Sequence, residues 1–358
     1  MSHLNGNHIP AEYLAYTRRK MGVVVALIVL CAVLFVVALA LGAVRVPLAE
    51  IVRAIAGAKH KESWSIIILD IRLPHALAAL IAGAGLAAAG AVMQSILRNP
   101  LGSPFTLGLS QAAAFGAAFA VMGLDAGVMQ STQINAVTIA RPGLTALSAF
   151  AACMIAASII IGIGRLRGAS PEVLVLSGVA IGSLFAAGTM FLQYFADDVQ
   201  LAAMVFWTFG DVGRAGWSEV GYMASVVVTG YVFFLINRWN YNAIDAGDET
   251  ARALGVHVGR VRLLGMVVAA MLTAVIVAFL GVIGFVGLIC PHIARRIVGD
   301  DHRFLLPTSC LTGSALLLAA DTAARLILAP HVLPVAVLTS FLGAPAFLYL
   351  LLRRRAGS

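Results

Sequence analysis

The sequence predicts an all-α, polytopic membrane protein with about ten transmembrane helices, a short half-helix and one polar helix outside the bilayer. Three observations carry that prediction. Of 358 residues, 61% are hydrophobic and only 11% charged, with a mean hydropathy of +0.97, which is too little charge to cover a soluble globule of this size. The apolar residues are gathered in runs of about 20, the length needed to cross a hydrocarbon core of about 30 Å. One polar interruption, 245–256, carries the start and stop signals of a short helix between two such runs.

Taken in order, residues 1–20 form a polar tail with scattered histidines, and a single membrane domain occupies 21–355. The first span is expected at 22–44, after Arg18, Arg19 and Lys20. It is too long for a signal-peptide core of roughly 7–15 residues and reads as a retained span. Arg45 to Ser65 mixes charges with an apolar set, Leu48, Ile51, Val52 and Ile55, which predicts an interfacial helix. The second span, 72–97, has a core of almost entirely small residues over 78–90. Small faces let membrane helices approach closely, so this helix should lie among its neighbours.

A turn with two prolines and a glycine follows at 98–104. Spans are expected at 105–123, 143–164 and 172–195, with a loop at 124–141. The run 199–209 is about half the length a span requires and reads as a half-helix. Spans at 217–238 and 263–281 come next. The glycine-punctuated stretch 281–292, ending in Pro291-His292, predicts a broken helix packed inside the protein. The last spans are expected at 305–328 and 333–352.

In the polar helix, Asp248 and Glu249 complement the positive end of a helix dipole, and Gly255 suits a left-handed C-terminal position. Ala251 and Leu254, three apart, share one face. So short a helix is marginal alone in water, which leaves two readings: a solvated loop, or a helix whose small apolar face docks in a partner's groove. Flanking charge orients the chain. With both termini inside, 16 Lys and Arg residues flank inner ends and 8 flank outer ends; that excess predicts that 245–256 faces the cytoplasm. The net charge of +8 then marks orientation in a bilayer, and a nucleic-acid partner is not expected.

Chemistry within the chain is not expected. There is no Gly-Lys dipeptide for a phosphate-binding loop, the four cysteines lie singly in apolar runs, and no metal cluster or cofactor site is predicted. His292 reads as satisfying a helix carbonyl freed by Pro291, ahead of metal or haem ligation. Asp321 and Arg325, four apart, predict an intramembrane ion pair, with a proton relay as the sharper alternative.

Several segments together resemble the permease subunits of ATP-binding-cassette importers for iron siderophores, haem and cobalamin. They are Arg72-Leu-Pro74, Gly90 to Gln94 with Arg98-Asn-Pro-Leu101, Glu249 to Val256, Gly284 to Leu288 with Pro291-His292, Asp301-His-Arg303 with Leu306-Pro307, Ala320-Asp321 with Arg325, and Leu333-Pro334 through Gly343-Ala-Pro345. The resemblance spans the chain from about 45 to its end. It implies a homodimer in the cell inner membrane, two cytoplasmic ATPase subunits and a periplasmic substrate-binding protein. It marks Asp248, Glu249, Ala251, Arg252, Leu254, Gly255 and Val256 as the coupling helix that sits on the ATPase. It places the cytoplasmic gate at Asn99, Pro100, Leu101, Ala169 and Ser170, and docking of the binding protein at Arg72 and Arg325. His75 stands where the family has a second arginine, so that contact is expected to be missing or to depend on pH near 6.5. Ala336 stands where glycine usually follows Leu-Pro-Val. The rival class, a proton-driven secondary transporter, requires a titratable chain deep in the spans, and only Asp321 beside Arg325 offers one. A channel requires a polar filter segment, and none is present.

Overall fold

The computed structural model describes residues 11–42, 44–57, 62–124, 127–129, 137–139, 141–328 and 331–353. The expectations for residues 1–10, for Lys59 and Lys61, and for most of the 124–141 loop lie outside the described residues. The first helix, α1 (Ala11–Ala40), starts inside the segment expected as a tail. Its first turns run on in register with the apolar span, so nothing local stops the helix at Lys20. Lys20 itself is buried and bonded to the Tyr16 hydroxyl.

The segment expected as one interfacial helix divides in two. Helix α2 (Leu48–Ile55) buries Ile51 and Ala54 and leaves Leu48, Val52 and Ile55, at i, i+4 and i+7, exposed as an apolar strip along one side, the side an interfacial helix turns toward lipid. A short helix, α3 (Glu62–Ser65), then runs through a π-helical stretch, Ile66–Arg72, into α4 (Leu73–Ile96).

Helix α4 is the centre of the bundle, as its small residues predict, and it packs most extensively on α14 (His302–Ile327) and α12 (Val258–Leu280). Two glycines make this possible. A Cβ at Gly83 would run into the backbone of Gly313 in α14, and one at Gly90 into the backbone of Gly287 in α13 (Val286–Val298).

The expected turn at 98–104 extends further than predicted: residues 105–108, expected to begin a span, are also not helical, and α5 runs only over Leu109–Gly123. Ser103 and Thr106 hold this irregular stretch together, each backbone N–H donating to the other's hydroxyl at 3.0 and 3.1 Å. That exchange satisfies backbone groups that lack helix partners inside an apolar protein. Two short strands, Gly127–Met129 and Val137–Ile139, pair antiparallel beyond α5. Helices α6 (Pro142–Leu166) and α7 (Pro171–Phe195) follow.

The half-helix is present as α8 (Asp198–Thr208), 11 residues opened by an Asp197–Gln200 capping box. Arg214, in a 3-10 turn (Val212–Arg214), closes its other end by donating to the carbonyls of Phe206, Trp207 and Phe209 at 2.6, 3.0 and 2.8 Å. Helices α9 (Trp217–Ile236), α10 (Arg238–Asp245) and α11 (Asp248–Ala253) lead to α12. The expected break appears as the non-helical residues 281–285 and the short α13, which runs on past Pro291. After α14, α15 (Val335–Arg353) ends the described chain. Seven of the described helices are long and apolar enough to cross a membrane; α5, α13 and α15 are shorter.

Candidate functional site

The polar helix α11 is short because glycine bounds it on both sides. Gly247 (φ +121°) precedes it and Gly255 (φ +82°) follows it, conformations that cost glycine little. The Gly255 N–H donates to the Arg252 carbonyl and the Val256 N–H to the Ala251 carbonyl, both at 2.9 Å, the double bond of a Schellman ending. Ala251 is buried against Ala243, Ile244, Val256 and Val258 of its own chain. Leu254 stands 69% exposed. The expected shared face of Ala251 and Leu254 is therefore corrected. Ala251 closes the local core, whereas Leu254 sits at the C-cap, where the chain turns away. Leu254 is presented outward, beside exposed Glu249, Thr250 and Arg252.

Asp248 does more than complement a helix terminus, since both its oxygens accept from Arg262 of α12, at 3.0 and 3.1 Å. Arg262 is only 2% exposed. Its Nε donates to the carbonyl of Ile96 at 2.6 Å and its Nη1 to that of Ala169 at 2.9 Å. One buried cation thus joins α11 to the end of α4 and to the loop before α7. The sequence reading counted Arg262 only as a flanking charge. No local feature of the sequence singles it out, because its partners lie 14, 93 and 166 residues away.

The two turns that the resemblance marks as the gate are both strained. Arg98 (φ 46°) and Ala169 (φ 53°) adopt left-handed conformations, which cost a side-chain-bearing residue roughly 1–2 kcal/mol. Asn99 steadies the first turn by accepting from the Leu101 N–H at 2.9 Å; Pro100 and Leu101 are exposed. Ser170 caps α7 through Val173, with Pro171 next to it. The third non-glycine residue in this conformation among those described, Phe285 (φ 66°), opens α13. It lines a mostly apolar cavity of about 310 Å³ with Leu86, Phe105 and Leu288, edged by Ser103 and Thr106.

A second polar knot lies nearby. Ser95 of α4 lies 3.1 Å from Asp245, 3.0 Å from His302 and 2.7 Å from Arg295. Asn242 binds the backbone and ring of His302 at 2.9 and 2.8 Å. Burial pushes the Asp245 carboxyl above its ordinary range, and the Arg295 charge opposes that shift. These contacts tie α10, the lead-in to α11, to α4, α13 and α14.

At the opposite end of the bundle, Arg72, His75 and Arg325 come close together, but the arginines are not free. Arg72 is 6% exposed and donates to the carbonyls of Leu39 and Val44. Arg325 pairs with Asp321 at 2.8 Å. His75 is half-buried against the Asp211–Arg214 turn. Neither arginine stands as a free surface charge in this chain. Burial in an apolar bundle requires each cation to be answered within the chain, and each is.

A helical bundle with apolar outer helices, strained turns at one end and a short presented helix beside them defines a multi-pass membrane transport subunit. The particular family follows from comparison: the model of the FecCD transport family matches residues 30–353, and the chain belongs to that family. It is 52% identical over 345 residues, 96% of this chain and 98% of the relative, to the Methanocaldococcus jannaschii protein named "Putative ABC transporter permease protein MJ0087". It is 39% identical to the hemin transport system permease protein HmuU of Yersinia pestis, over 81% of this chain and 84% of that one. Among solved structures, the inward-facing conformation of "a putative metal-chelate type ABC transporter" matches with a TM-score of 0.80 and 28% identity, covering 93% of this chain and 99% of that one.

Proposed function

We propose that the chain carries an iron chelate, a ferric siderophore or a compound of the haem or cobalamin class, across the cell inner membrane as the permease of an ABC importer. ATP is hydrolysed on separate subunits. The observation that carries this reading is the α11 assembly: Leu254 presented outward on a helix that a buried arginine joins to two strained turns. That arrangement suits transmission of a partner's movement to a gate. The coupling role belongs to Asp248–Ala253 with Leu254, Gly255 and Val256, and the gate to Asn99, Pro100, Leu101, Ala169 and Ser170.

In this reading α11 and both termini face the cytoplasm, and a periplasmic binding protein seats at the opposite end. Docking there is assigned to Arg72, His75 and Arg325, and the two arginines would exchange internal partners for acidic groups of the binding protein. A homodimer is supported by the exposed apolar surfaces of α7 and α15, with Tyr194 83% and Phe341 75% exposed. The apolar wall around Phe105 and Phe285 suits a chelate whose metal is already enclosed by its ligands. The alternative, a proton-driven transporter, is disfavoured because its one candidate carboxylate, Asp321, is held by Arg325 at 2.8 Å.

Uptake into proteoliposomes holding the permease with its ATPase subunits and a substrate-binding protein tests the proposal. Uptake should require ATP on the α11 side and persist when the proton gradient is collapsed. Uptake that follows an imposed proton gradient without ATP would overturn the proposal.

A further inference from the structure

We propose that Arg262 is a positioning residue that makes α11 and the two strained turns one moving body. The proposal rests on the coupling function given above. A guanidinium is a planar fork whose donors point in fixed and different directions, and here each direction is used by a different segment. Nε holds Ile96 at the end of α4, Nη1 holds Ala169 before α7, and Nη2 holds Asp248 of α11. Among the described residues, no other side chain is hydrogen-bonded to all three segments.

The space around this fork shows why the tie matters. An open cleft separates α11 from the turns, lined by Arg98, Ser170, Glu172, Gly247 and Asp248, with Arg262 in its wall. Side-chain packing does not fill that gap, so a push on Leu254 alone would tip α11 across it. Through Arg262 the same push reaches the Ile96 carbonyl, two residues before strained Arg98, and the strained Ala169 carbonyl directly. Lysine cannot replace it, because one ammonium cannot hold three segments at the angles of the fork.

The test uses the permease reconstituted with its ATPase subunits and a Leu101→Cys reporter at a position 42% exposed. Three of the four native cysteines are buried and the fourth is half-buried, which keeps the background low. The rate of labelling by an impermeant maleimide is compared without nucleotide and after trapping with ATP and vanadate. With Arg262 present, the rate should differ between the two states. In Arg262→Gln the ATPase should remain attached and hydrolyse ATP, while the nucleotide-dependent difference is lost. Asp248→Asn, which weakens one arm only, should reduce the difference without abolishing it.

A difference of native size in Arg262→Gln overturns the proposal. If Arg262→Gln does not assemble, a native-size difference in Asp248→Asn overturns it. So does a native complex whose labelling ignores nucleotide although the ATPase is attached. Failure of the ATPase to attach to the native chain contradicts the proposed function, which is a separate outcome.

Discussion

Gly90→Ala isolates the packing on which the bundle depends. The added methyl would stand 2.7 Å from the Gly287 Cα and closer still to its carbonyl oxygen, whereas carbon atoms in contact rest at about 3.5–4.0 Å. Helices α4 and α13 would have to part by about 1–1.5 Å, and a gap of about 1 Å already forfeits up to half of each dispersion contact across it. No flexible side-chain end can give way, because the obstacle is backbone. A cost at the upper end of the overpacking range, about 3 kcal/mol, is expected. Gly162→Ala in α6 is the control, since nothing lies within 4 Å of its new methyl; it should be neutral or stabilising by up to about 1 kcal/mol. Thermal unfolding in detergent, followed by monodisperse recovery, reads both. An unchanged midpoint for Gly90→Ala would refute the close approach of α4 and α13.

Arg325→Glu should lower the yield of folded protein sharply, because it sets a second carboxylate against buried Asp321, and an unpaired buried charge typically costs about 3–5 kcal/mol; a full yield with impaired binding-protein docking would leave Arg325 the external role alone. Arg214→Gln should loosen α8 by freeing two or more of three carbonyls, at about 1–3 kcal/mol each if they stay dry. Faster hydrogen exchange confined to 198–209 is the expected signature, and unchanged exchange there would contradict it.

The all-helical membrane fold and its seven long spans were legible in the sequence because a bilayer fixes the length and polarity of what crosses it. The half-helix was legible for the same reason, as was the burial of α4, where Gly83 and Gly90 leave no room for side chains. Gly255 was legible as a helix stop because few other residues take its conformation at so little cost. What stayed hidden depends on contacts distant in sequence. Arg262 lies 166 residues from Ile96 and 93 from Ala169, and nothing local distinguishes it from Arg260. Arg72 looked like a free surface charge because the carbonyls that hold it, on Leu39 and Val44, belong to the preceding span and its end. Ala251 and Leu254 have the spacing of one helix face, yet the six-residue helix ends between them.

The most direct measurement of the central claim is ATPase attachment to Leu254→Glu. The side chain is 69% exposed in the isolated chain, so folding and membrane insertion should be unaffected. If docking buries it, the substitution removes about 1.5–3 kcal/mol of apolar burial and adds the cost of drying a carboxylate. At 1.4 kcal/mol per factor of ten, attachment should weaken at least about tenfold, and uptake should fall with it. A Leu254→Glu protein that retains its ATPase subunits at native affinity and transports normally would show that α11 is a solvated loop, and the coupling account would fail.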